Sequence, residues 1–129
     1  MGKKKLVVLA SAIALVLTCG SALAGDPQKG KRVFNKCLSC HPVKKEGKQG
    51  IGPNLFGVVG RKAGSVQQYK RYTGLKNADF VWDEATLDAW LANPKKFIKK
   101  RGRKKTLMMV KLRKVNQRDD VIAYLSTLK

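Results

Sequence analysis

The segment Cys37-Leu38-Ser39-Cys40-His41 decides how the rest of the chain is interpreted. On a helical turn, a spacing of three residues places both thiols on one side, and the next residue directs its imidazole toward the same region. Two thiols so placed can bond to the two vinyl groups of one porphyrin while the imidazole binds its iron. The pattern is typical of c-type haem attachment. It predicts thioether bonds from Cys37 and Cys40, with His41 as an axial ligand.

Other interpretations of the same residues fit less well. A thioredoxin-like redox pair requires a βαβ setting, and no stretch of the chain alternates as a strand does. A zinc site requires four ligands, more than the two cysteines and one histidine that remain if Cys19 is removed. A simple disulfide leaves His41 unexplained. Because His41 is the only histidine, the sixth iron ligand must be Met, Lys, water or absent.

Residues 1–24 have the pattern of a secretory signal peptide. Three lysines precede an apolar run from Leu6 to Leu17, and Ala22-Leu23-Ala24 resembles a cleavage motif. A spanning helix needs about 20 apolar residues, so a retained anchor is the less favoured alternative, as is lipid attachment at Cys19. We predict cleavage after Ala24, a periplasmic or otherwise exported protein, and one domain over residues 25–129.

The charge is strongly basic. The chain has 28 Lys and Arg against 8 Asp and Glu, a net charge of +20. Cleavage would remove three lysines and leave a net charge of about +17. An anionic partner is expected: an acidic protein face, a lipid surface or nucleic acid. Export argues against nucleic acid.

Hydrophobic spacing and capping residues predict an all-α fold with long loops. The predicted helices are, in chain order, about 27–38 after Asp26, a short one near 70–77, one capped by Asp83 that ends at Asn93-Pro94, a turn over 95–98, and about 117–128. The segment 42–81 is rich in glycine and turn residues. So little self-contained core requires a central apolar object, and haem would supply it.

Several further motifs extend the pattern over nearly all of residues 25–129. They are Gly30-x-x-x-Phe34, Lys36-Cys37-Leu38-Ser39-Cys40-His41, Gly52-Pro53-Asn54-Leu55-x-Gly57, Gly60-Arg61-Lys62-x-Gly64, Trp82, Asn93-Pro94-Lys95-Lys96-Phe97-Ile98 and Ile122-Ala123-Tyr124-Leu125. In order and spacing the sequence resembles the class I c-type cytochromes of mitochondria and of short bacterial proteins. The resemblance implies the cytochrome c fold, with three to five helices and loops around one haem c.

The resemblance also implies roles for individual residues. The carbonyl of Pro53 would accept a hydrogen bond from His41 and fix its ring. Arg61 and Trp82 would hold the buried haem propionate, helped by Tyr72 or Tyr69. In addition, Gly30 and Phe34 of the first helix would cross the last helix at Val121, Tyr124 and Leu125.

The sixth ligand is where the sequence departs from the family. A Pro-Gly-x-x-Met segment is expected shortly after Asn-Pro-Lys-Lys, but the Pro-Gly turn is missing and about five residues are inserted. Met108 is the preferred ligand because Met108-Met109-Val110-Lys111-Leu112 matches a bacterial Met-x-x-Lys-Leu pattern. Met109, a lysine or an open site are the alternatives. With an open site, a haem enzyme or a gas- or peroxide-binding protein becomes the alternative function.

By resemblance the protein is a soluble, monomeric one-electron carrier and not an enzyme. Its partners would be acidic faces of membrane complexes: a quinol–cytochrome c reductase, and a terminal oxidase or a photosynthetic reaction centre. Docking positions in the family correspond to Lys36, Lys95, Lys96 and Lys111, and the basic run 99–105 would extend them. An anionic lipid surface is a second candidate partner, and a solvated loop with no partner is the plain alternative for the run.

Overall fold

The computed structural model describes residues 25–129, which contain four α-helices. These are α1 (Pro27–Phe34), α2 (Glu84–Ala92), α3 (Pro94–Lys100) and α4 (Val115–Ser126). The described residues form no sheet, and one isolated antiparallel bridge joins Lys62 to Val81. None of these helices is both long and apolar enough to cross a membrane. The predicted all-α class is confirmed, while the predicted signal peptide lies outside the described residues.

Side-chain caps explain where three helices begin. The Asp26 carboxylate accepts hydrogen bonds from the first amides of α1, and Asp83 accepts from the Thr86 amide at 2.7 Å. Asn93 accepts from the Lys96 amide at 3.1 Å, followed by Pro94 at the first position of α3. Each cap satisfies an amide that has no partner inside its helix.

The predicted short helix near 70–77 is wrong, because this segment forms turns. Asn77 has a positive φ of 57°, which no right-handed helix contains. The carbonyls of Gly74, Lys76 and Asn77 accept hydrogen bonds from the distant Arg103 side chain. They are therefore committed to a tertiary contact. The boundaries also differ elsewhere: regular α1 ends at Phe34, before single turns over 35–40, and α4 begins at Val115.

The crossing of the first and last helices forms one end of the core. A Cβ on Gly30 would lie 1.9 Å from the Asp120 carbonyl oxygen, so the two backbones approach as closely as glycine permits. The Phe34 and Tyr124 rings pack with centroids 5.3 Å apart. Phe34 and Val121 are almost completely buried. The predicted crossing of these helices is confirmed.

An aromatic cluster forms the other end of the core, where α2 and α3 meet the loops. The rings of Trp82 and Trp90 lie 5.3 Å apart, and Phe97 packs edge-on against Trp90 at 5.5 Å. The segments 35–83 and 101–114 close around the space between the aromatic cluster and the α1–α4 crossing. This space is the cleft described next.

Candidate functional site

A predominantly apolar cleft lies at the centre of the fold and opens to solvent on one side. It holds roughly 930 Å³ of empty space, a figure that includes space open to solvent. Its walls come from α1, α2, α4 and both long loops. The predicted site residues that line it are Cys37, His41, Pro53, Arg61, Tyr69, Tyr72, Trp82 and Met108.

His41 is fixed by the loop that follows it. Its Nδ1 lies 2.8 Å from the Pro53 carbonyl oxygen. Because a carbonyl can only accept, Nδ1 carries the proton and Nε2 keeps its lone pair. Burial lowers the pKa of His41, although the hydrogen bond to Pro53 opposes that shift. The ring is therefore held in one orientation, with Nε2 left available as a nitrogen donor.

The two thiols occupy consecutive turns after α1. The Cys40 amide donates to the Cys37 carbonyl at 3.0 Å, and the His41 amide donates to the same oxygen at 2.8 Å. Both cysteines are free, Cys37 buried and Cys40 half-buried. Burial, with a smaller contribution from Cys40, raises the pKa of the Cys37 thiol. A raised pKa is the opposite of what a reactive redox thiol shows, whereas a buried Cys37 thiol beside an apolar cleft fits thioether attachment.

Met108 and Met109 differ sharply in their surroundings. Met108 lines the cleft and packs against the core, whereas Met109 is 73% exposed. The Trp90 indole N–H donates to the Met108 sulfur at 3.1 Å. The Met108 amide donates to the Thr106 hydroxyl oxygen, also at 3.1 Å. Of the two thioethers, Met108 is thus the one held in the cleft.

Arg61 brings a positive charge to the cleft wall. Its guanidinium donates to the Phe56 and Asn54 carbonyls at 3.1 and 3.0 Å. Desolvation lowers the pKa of Arg61, and within residues 25–129 no carboxylate lies at salt-bridge distance from it. An anionic group in the cleft, such as a haem propionate, would supply the missing counter-charge.

The two tyrosines of this region have different partners. Tyr69 donates its hydroxyl proton to the Ile51 carbonyl at 2.8 Å. Tyr72 packs edge-on against Tyr69, and burial raises the pKa of the Tyr72 phenol. Tyr69 is therefore already engaged with the backbone beside His41, and Tyr72 is the better placed of the two to serve a ligand in the cleft.

The predicted docking lysines all reach solvent. Lys36, Lys95, Lys96 and Lys111 are exposed, as are Lys99, Lys100, Lys104 and Lys105 of the basic run. The arginines of that run behave differently. The Arg101 guanidinium carbon lies 3.7 Å from the Phe97 ring centroid, and Arg103 is half-buried with three carbonyl partners.

Sequence reasoning missed two residues that contact Met108. They are Trp90 and Thr106, to which the sequence analysis assigned no role. A buried tryptophan needs a partner for its N–H, so the indole of Trp90 was a signal that a polar or sulfur acceptor lies nearby. No local pattern indicates that Thr106 accepts the Met108 amide.

The cleft of this all-α fold gathers the Cys37 thiol, an oriented imidazole and a thioether, and Cys40 follows one turn after Cys37, outside the residues that line the cleft. Together these features define a c-type haem protein. The comparisons with known proteins agree. Residues 27–129 match the family model described as "Cytochrome c". A cytochrome c2 of Rhodomicrobium vannielii is 44% identical over 114 residues, 88% of each chain.

Solved structures give the same result. A cytochrome c2 from Rhodospirillum centenum aligns with a TM-score of 0.76 at 32% identity, over 81% of this chain and 99% of that one. A ferric cytochrome c-550 from Paracoccus versutus aligns at 0.69 and 42% identity, over 81% and 98%.

The chain belongs to the cytochrome c family. The resemblance in the sequence, the fold, the haem c cofactor and the role as a one-electron carrier are thereby confirmed. The relatives support electron transfer and give no support to the alternative of an open-site enzyme or gas-binding protein.

Proposed function

We propose that residues 25–129 form an exported, monomeric electron shuttle, with one haem c held by Cys37, Cys40, His41 and Met108. The observation that carries the proposal is that Met108 lines the same cleft as Cys37 and His41, although it lies far from them in the sequence. A haem bound there would supply an iron that gains and loses a single electron.

The residues of the chain would hold that group from several directions. Cys37 and Cys40 would each form a thioether, and His41 would donate through Nε2, which the hydrogen bond to Pro53 leaves free. Met108 would donate through its sulfur while still accepting from Trp90, because a thioether has two lone pairs. Arg61, Trp82 and Tyr72 would receive a propionate.

A low-polarity cleft suits electron transfer because few dipoles there must reorient when the charge changes. Leu87, Leu91 and Leu125 line it and exclude water. The ligands are held by packing and by hydrogen bonds to the backbone, so both oxidation states can share nearly the same geometry. A thioether ligand favours the reduced state and raises the potential.

The exposed lysines support docking to acidic faces of membrane redox complexes. A positive surface of this kind would attract the reductase that supplies the electron and the oxidase or reaction centre that accepts it. The lysines concerned are Lys36, Lys95, Lys96, Lys111 and those of 99–105. Anionic lipid is the second candidate partner. Salt-sensitive binding to anionic vesicles, absent with neutral ones, would support it.

The ligand assignment is tested by the weak near-infrared charge-transfer band that sulfur–iron bonding gives the oxidised protein. We expect Met108→Ala to lose this band and Met109→Ala to keep it, because Met109 points to solvent rather than lining the cleft. Loss in Met109→Ala alone would reverse the assignment. A band absent from the unaltered protein would reject methionine ligation altogether.

A further inference from the structure

The basic run 99–105, called the basic insertion below, begins with a turn that is held by backbone hydrogen bonds. Gly102 has φ of +69°, its amide donates to the Lys99 carbonyl at 3.1 Å, and the Arg103 amide donates to the Ile98 carbonyl at 3.0 Å. These two bonds form the glycine-terminated cap that ends many helices. The insertion therefore reverses the chain at the end of α3, where the family's Pro-Gly turn is missing.

Arg103 then joins the insertion to a distant turn. Its Nη1 donates to the Gly74 and Lys76 carbonyls at 3.2 and 2.7 Å, and its Nη2 donates to the Asn77 carbonyl at 3.0 Å. A planar guanidinium can serve several acceptors at once in a fixed fork, which a lysine ammonium cannot reproduce. Three carbonyls from four consecutive residues of this turn thus form a binding site for the Arg103 guanidinium.

Close packing between the backbones of the 74–77 turn and the basic insertion extends this contact along the chain toward Met108. A Cβ on Gly74 would lie 2.0 Å from the Lys105 carbonyl oxygen, so the turn and the insertion touch without side chains between them. Thr106 follows at once and accepts the Met108 amide. From Arg103 to Met108 the chain is thus held at the turn, at Thr106 and at Trp90.

From this continuity we infer that Arg103 is a positioning residue for the sixth ligand. Its guanidinium holds the segment 103–108 on the Gly74–Asn77 turn, which hinders Met108 from leaving the cleft. The inference rests on the proposed ligation by Met108. In this role Arg103 contacts the protein itself, whereas the lysines beside it are exposed to solvent. The contact would replace the restraint that a Pro-Gly turn gives to the ligand segment in the family.

Displacement of Met108 by added imidazole in the oxidised holoprotein tests the clamp. Imidazole is largely neutral at pH 8, so its binding reports opening of the segment with little effect of protein charge. We expect Arg103→Lys, which keeps the charge but loses the fork, to bind imidazole roughly tenfold faster. Arg103→Gln should do the same.

Two controls separate the clamp from other effects. Lys104→Gln removes a neighbouring exposed charge and should bind imidazole at the unaltered rate. Gly30→Ala destabilises the remote helix crossing and should leave imidazole binding unchanged under native conditions. Unaltered rates in both Arg103 variants would overturn the inference, as would equal acceleration in Lys104→Gln or Gly30→Ala.

Hydrogen exchange provides a measurement without substitutions. The clamp predicts that amides of 74–77 and 103–108 open together in the oxidised holoprotein; independent opening of the two segments would count against it. Failure of the Met108 ligand assignment is distinguishable from failure of the Arg103 inference. In the first case the charge-transfer band would survive in Met108→Ala, independently of the imidazole rates of the Arg103 variants.

Discussion

At the scale of single residues, the proximal part of the site is encoded locally and the distal part is not. Cys37, Cys40 and His41 lie within five consecutive residues, so motif spacing alone predicts them. Pro53 was implied only by the resemblance to the family, and it lies in the loop that follows. Gly52 shows how tight this part is, since a Cβ there would lie 2.3 Å from His41 Cε1. Met108 lies 67 residues beyond His41 in the sequence, and its choice over Met109 depends on packing that no spacing rule contains.

The hydrogen bond from Trp90 to the Met108 sulfur leads to a prediction about the reduction potential. The N–H draws electron density from the sulfur and so favours the reduced iron. We expect Trp90→Phe to lower the potential by roughly 20–60 mV, the equivalent of one net hydrogen bond. Voltammetry of the purified protein measures it. Trp90→Tyr, which keeps a donor on a smaller ring, should stay nearer the unaltered value; equal shifts in both variants would attribute the effect to ring size.

At the scale of elements, capping residues predicted helices well where the backbone groups form hydrogen bonds only within the helix and its cap. Asp26 and Asp83 mark the starts of their helices correctly because each cap is a local interaction. Asn93 was predicted only as the end of α2, and it also caps α3. The segment 70–77 was mispredicted because its carbonyls are taken by Arg103 from 26–29 residues away. The pairing of α4 with α2 through Arg118 and Asp88, at 2.6 Å, was equally invisible in the sequence.

The closeness of the α1–α4 crossing can be tested at its narrowest point. Gly30→Ala places a Cβ against the Asp120 carbonyl and must push the helices apart. We expect a loss of about 2–3 kcal/mol in the free energy of unfolding, measured by denaturant titration. Lys31→Ala, on the exposed face of α1, should change it by less than about 0.5 kcal/mol. Equal stability of the two variants would contradict the observed crossing.

The cap of α2 predicts a dependence on pH. Hydrogen bonds from Thr86 lower the pKa of Asp83 from its usual value near 3.8. A lowered folded-state pKa means that the ionised cap stabilises the protein above about pH 4, and that this stabilisation is lost as pH falls through the folded-state pKa.

Matched substitutions isolate that contribution. At neutral pH, Asp83→Ala should cost about 1 kcal/mol of unfolding free energy while Asp83→Asn keeps the cap. Below pH 4 the unaltered protein should lose stability relative to Asp83→Asn. A constant difference between the two across pH 2–7 would show that the carboxylate charge does not contribute.

At the scale of the whole molecule, charge and cofactor explain features that local structure does not. Four short helices leave a cleft through the centre of the core, which the bound haem would fill. The surface carries basic residues from many parts of the sequence, and composition alone indicated an anionic partner. Composition could not show which basic side chains have partners within the chain: Arg101, although exposed, packs on the Phe97 ring, and Arg103 donates to three backbone carbonyls.

Docking by lysines predicts that electron transfer to an acidic partner complex slows as salt screens the attraction. Stopped-flow measurement with a cytochrome c oxidase should show the second-order rate constant falling steadily with ionic strength. Lys96→Gln should lower the rate at low salt, whereas Lys45→Gln, an equal charge change at an exposed site outside the docking set, should have less effect. A rate independent of ionic strength would contradict the docking proposal.

The most direct test of the whole account is the absorption spectrum of the purified protein in both oxidation states. We expect the reduced protein to show the narrow bands of a six-coordinate haem c linked through two thioethers, unchanged by carbon monoxide at neutral pH. The oxidised protein should show the near-infrared sulfur–iron band. A five-coordinate spectrum that shifts with carbon monoxide, or haem that extracts from the unfolded chain, would contradict the site built on Cys37, Cys40, His41 and Met108.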